Sequence, residues 1–78
     1  MSRNHEEHEI VSLAEGLPRE MKRVREKVLP VYQELPKESG SFSILLINAD
    51  LKYAEQTTVD QDTVGMLKAF YRLKGWVL

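Results

Sequence analysis

Apolar residues recur at helical intervals in four stretches of this chain, separated by glycine, proline and short polar runs. Ile10, Leu13, Ala14 and Leu17 follow the spacing of one helix face. Asn4 is placed to cap that helix with Glu7 reaching back to it, and Gly16 stands where a left-handed residue would end it ahead of Pro18. A first helix over residues 5–15 is therefore predicted, short enough to depend on docking. From Leu17 onward, Met21, Val24, Val28, Val31 and Leu35 follow at spacings of 4, 3, 4, 3 and 4, the seam of a helix that packs knobs into holes. This predicts a second helix over residues 18–35 with Pro18 at its first position, where a missing amide is harmless. Pro30 removes one amide and crowds the carbonyl of Glu26, so a kink or restart is expected there, and Pro36 ends the element.

Lys37 to Ser41 reads as a loop, with Ser39 or Ser41 available to cap a third helix over residues 42–56. That helix has two apolar stripes, Phe42, Leu45, Leu46, Ala49 and Tyr53 on one side and Ile44, Ile47, Leu51 and Ala54 roughly opposite. The run from Phe42 to Ile47 is also compatible with a buried strand. The helical pattern continues through Tyr53 and Ala54 without a breaker, however, and no other segment offers a strand to pair with. After a polar connection, Asp60 or Asp62 can cap a fourth helix over residues 63–74, with Lys68, Arg72 and Lys74 at its carboxyl end and Gly75 as the stop. In that helix Val64, Leu67, Phe70 and Tyr71 face one way, Met66, Ala69 and Leu73 flank them, and Trp76 is expected to fold back toward Tyr71. The fold predicted is all-α, a small bundle of three to four helices in a single domain over residues 1–78.

Size sharpens this picture. A chain of 78 residues buries only about 60% of the surface its unfolded form exposes, so its core is thin. There is no cysteine, hence no disulfide, thiolate metal site or cysteine nucleophile, and stability must come from helix packing and association. No apolar stretch of a secretory signal or of a membrane span's length stands in the sequence, so a cytoplasmic protein with no membrane contact is expected.

The net charge of −1 provides no general attraction to phosphate backbones. The charge is nevertheless uneven: Arg19, Lys22, Arg23, Arg25 and Lys27 fall within nine positions with only Glu20 and Glu26 among them. Cations near the start of a second helix are mildly unfavourable, and the acidic first helix folding alongside is the expected compensation, with an acidic protein partner the next reading. A nucleic-acid-associated regulator using this basic stripe is the alternative, disfavoured because no helix-turn-helix, zinc-finger or aromatic RNA-binding pattern accompanies it.

Candidate chemistry is sparse. His5-Glu6-Glu7-His8-Glu9 could offer imidazole and carboxylate to zinc, but the histidines are three apart, not four, and no third ligand follows downstream. Asp50, Glu55, Asp60 and Asp62 lack the spacing of a calcium loop, and neither a strained serine nucleophile turn nor a glycine-rich phosphate loop occurs. The expectation is therefore a non-catalytic chain with no cofactor and no metal. Phe42, Tyr53, Phe70, Tyr71 and Trp76 read first as core, yet four thin helices cannot hide every apolar residue. The excess is expected at Ile44, Ile47 and Leu51 and at Trp76, Val77 and Leu78, forming an interface with a second copy, as a homodimer, or with another protein.

Overall fold

The computed structural model describes residues 2–77, with side chains described from residue 13. Among them it has three helical rods and no strand, confirming the all-α class and correcting several boundaries, the end of the third predicted helix at Val59 and not at residue 56 included. The first rod is continuous from α1 (Ser2–Arg23), through a π-helical turn (Val24–Val28), into α2 (Leu29–Gln33). At about 1.5 Å per residue that rod is long enough to set the 49 Å length of the molecule. Helix α3 (Lys37–Val59) and helix α4 (Thr63–Lys74) then fold back as a hairpin, with α3 packed on α4 and α2, and α4 on α1.

The expected break between residues 15 and 18 does not occur. Pro18 lies inside α1. Its missing amide would have bonded the carbonyl of Ala14, and both residues are exposed, so the lost bond and the ring fall on the solvent side of the helix and not in the core. Gly16 is likewise not a stop, since no described glycine has a positive φ. Its lack of a side chain serves packing: a Cβ there would lie 3.1 Å from Phe70 Cε1, so the α4 phenyl ring rests on the bare backbone of α1.

At Pro30 the expected restart is found, and it takes the form of the π turn. Leu29 N–H bonds the carbonyl of Val24, five residues back, and Pro30 enters α2 in the first turn, where it is tolerated. The wider turn holds one extra residue and rotates everything after it. Leu17, Met21, Val24 and Val28 are buried as the seam predicts, but beyond the turn Leu29 and Tyr32 take the core side while Val31 and Leu35 point outward.

Helix α3 starts five residues earlier than expected, at Lys37, after Pro36 in an extended conformation. The segment read as a loop is its first turn, in which Ser39 and Gly40 N–H groups both donate to Pro36 O at 2.9 Å. Gly40 makes this possible. A Cβ on it would come within 2.5 Å of the Tyr32 carbonyl oxygen, so only glycine lets α3 start directly against α2. At the other end, Gln61 adopts the left-handed conformation at φ 54° and Asp62 N–H bonds Thr57 O at 2.9 Å, a six-to-one closure. Asp62 then caps α4, its Oδ1 accepting from Gly65 N–H at 3.0 Å, and α4 runs over residues 63–74 as the sequence predicts.

The core is one cluster: Leu13, Leu17, Met21, Val24 and Val28 from the first rod, Ile47, Leu51 and Ala54 from α3, and Ala69 and Leu73 from α4. Small residues mark the crossing of α3 and α4. A Cβ on Gly65 would meet Thr57 Cγ2 at 2.6 Å, and Ala54 and Ala69 are fully buried. No helix of the described residues is long and apolar enough to cross a membrane.

Candidate interaction surface

Three of the expected interface residues belong to the fold instead. Ile47 and Leu51 are buried core residues and Ile44 is half-buried beside them. Helix α3 has two apolar stripes and only one can face the first rod and α4. Ile47, Leu51 and Ala54 take that side because Ala54, with Gly65 and Ala69 opposite, lets the two helices approach closely. The excess surface is therefore the other stripe, with Phe42 70%, Leu45 64% and Leu46 41% exposed, and Ala49 exposed below them.

The same inversion holds on α4. Phe70 is half-buried against Gly16, and Ala69 and Leu73 are in the core, so the residues expected as flanks form the packed side. Val64, Leu67 and Tyr71 turn outward, Val64 and Tyr71 each being 65% exposed. With the α3 stripe they leave large apolar side chains exposed on both helices of the hairpin.

Trp76 is likewise a structural residue and does not fold back toward Tyr71. Its indole Nε1–H donates to Asp50 Oδ2 on α3 at 2.8 Å, and its ring meets Tyr32 of α2 edge-on, centroids 5.7 Å apart. Gly75, at φ −70°, is not a left-handed stop; Trp76 N–H bonds Leu73 O and carries the chain into this junction. Of the terminal triplet, Val77 remains exposed, and Leu78 lies outside the described residues.

The basic stripe divides by role. Arg23 reaches across from α1 to donate from Nη2 to Leu73 O at 3.0 Å and Trp76 O at 2.8 Å, while Nε donates to the Glu20 carboxylate. A cation thus sits at the negative end of α4, a further donor to the Leu73 carbonyl and a donor to the Trp76 carbonyl just beyond the helix. Arg25 pairs with Glu55 of α3. The acidic residues 6–15 cannot supply the compensation expected of them, because they continue the same helix as the stripe and do not lie beside it. Nor is there a helix start at residue 18 to make these cations unfavourable. Arg19, Lys22 and Lys27 are exposed. The side chains of His5 to Glu9 lie outside the described residues.

Sequence reasoning missed the outward stripe of α3 and the capping role of Arg23. The first was visible as one of two candidates, and the signal that separates them is the small residues at the α3–α4 crossing. The second had no sequence signal, since it links positions fifty residues apart. No protein-family model matches this chain, and neither a curated protein nor a solved structure does.

Proposed function

We propose that this chain is a small, non-catalytic helical interaction module of the cytoplasm, which works by docking its α3–α4 outer surface and takes a second copy of itself as a partner. The observation that carries the reading is the placement of Phe42, Leu45 and Leu46 outward on a helix whose inner stripe already completes the core. Keeping such residues in water forgoes about 25 cal/mol for each Å² that a partner would cover. Their removal from α3 would leave the core intact, so they serve association and not folding.

The test is the mass in solution as a function of concentration. A rise above the 9.0 kDa of one chain is expected, reversed by Leu45→Glu at a mostly exposed position outside the core. A nucleic-acid regulator predicts something else: a salt-sensitive complex with duplex DNA or RNA that weakens when Arg19, Lys22 and Lys27 are neutralised together. Arg23 must be left in place in that experiment, because it caps α4. Such a complex, with a mass that never rises, would overturn the docking reading.

A further inference from the structure

The outer stripe of α3 is ordered in a way that fits its own copy. Along the exposed side the residues run Glu38, Phe42, Leu45 with Leu46, Ala49 and Lys52, all exposed, an acid at the amino end, a base at the carboxyl end and apolar residues between. Neither Glu38 nor Lys52 enters an ion pair among the described residues. Laid against a second α3 in the same direction, such a stripe sets Glu38 on Glu38, Lys52 on Lys52 and phenyl on phenyl. Reversed about a two-fold axis between Leu45 and Leu46, the stripe is close to self-complementary. Phe42 meets the small Ala49 of the second copy, Leu45 meets Leu46, and Glu38 comes within one residue, about 1.5 Å along the helix, of Lys52, near enough for long side chains to pair, twice over by symmetry.

We infer that this protein self-associates as an antiparallel dimer through α3, in register about Leu45 and Leu46, with two Glu38–Lys52 pairs closing the ends. The inference rests on the docking reading and specifies its face and partner. The segment from Glu38 to Lys52 is about 21 Å of helix, and its exposed side chains offer roughly 500 Å² per copy, against about 800 Å² for a standard stable interface. An interface below standard size makes the dimer a transient one that exchanges with monomer.

Charge reversal and cross-linking test the register. Glu38→Lys and Lys52→Glu each bring like charges together at both ends and are expected to weaken association about tenfold at low salt, while the two combined restore it. Because the chain has no cysteine, Leu45→Cys introduces the only thiol, expected to give a covalent dimer with a short bismaleimide, whereas Val64→Cys on α4 does not. Thermal unfolding of each variant at dilute concentration confirms that the fold is retained. Additive losses with no restoration, or cross-linking at Val64 and not at Leu45, would overturn the α3 register while leaving docking by the hairpin in place. A mass that stays at 9.0 kDa up to about 1 mM would overturn both.

Discussion

The two sides of α3 carry similar amounts of hydrocarbon and meet different fates. On the inner side Ile47, Leu51 and Ala54 disappear into the core, and on the outer side Phe42, Leu45 and Leu46 stand in solvent. Hydrophobicity alone does not choose between them. Ala54, Ala69 and Gly65 do, because backbones approach only where side chains are small, and the large residues beside such a crossing then fill the space around it. One helix thus divides its apolar surface between folding and association, and the division can be broken one side at a time.

The largest contrast is between Ile47→Ala and Leu45→Ala. Ile47 is fully buried, so its truncation removes transfer energy and leaves a cavity, for a loss of about 3 kcal/mol. Leu45 is mostly exposed, and Leu45→Ala is expected to change monomer stability by less than about 0.5 kcal/mol. Urea unfolding at low concentration, read through the single tryptophan, measures both. Equal losses would mean that the two stripes are not divided as described.

Next in size is the junction at the end of α4, which holds the inner side closed. Arg23→Ala strips charged donors from the carbonyls of Leu73 and Trp76 and is expected to cost about 2 kcal/mol. Arg23→Lys recovers less than half of that, since one ammonium cannot span both carbonyls and Glu20 as a planar guanidinium does. Arg25→Ala loses only an exposed pair with Glu55 and is expected to cost less than about 0.5 kcal/mol. If Arg23 and Arg25 behaved alike, the stripe would be a solvated charge run and not part of the fold.

These residues also mark where the sequence could be read and where it could not. The limits of α4 were legible because Asp62 and the basic carboxyl end act within a few residues of the helix they define. The restart at Pro30 was legible for the same local reason, a lost amide and a crowded carbonyl. The extra residue of the π turn was not, and it alone moves Leu29 and Tyr32 inward where the heptad seam placed Val31 and Leu35. Gly16 next to Leu17 and Pro18 carries every local mark of a helix end, yet the contact that uses Gly16 comes from Phe70, far along the chain. Trp76 was read as surplus because its partners, Asp50 and Tyr32, are brought to it only by the completed bundle.

A small gain in stability separates the two sides of α3 most cleanly. Gln61 holds the left-handed position that lets α4 turn back onto the inner stripe, a conformation that costs a non-glycine residue about 1 kcal/mol. Gln61→Gly removes that strain but loosens the unfolded chain, for a net gain of about 0.5 kcal/mol, or roughly 2–4 °C in Tm for a domain of this size. The substitution acts on the hairpin that covers Ile47 and Leu51 and touches nothing on the Phe42–Ala49 side. Thermal stability of the dilute monomer should therefore rise while the concentration dependence of the mass stays the same. A shift in both would mean that folding and association draw on one surface and not on two.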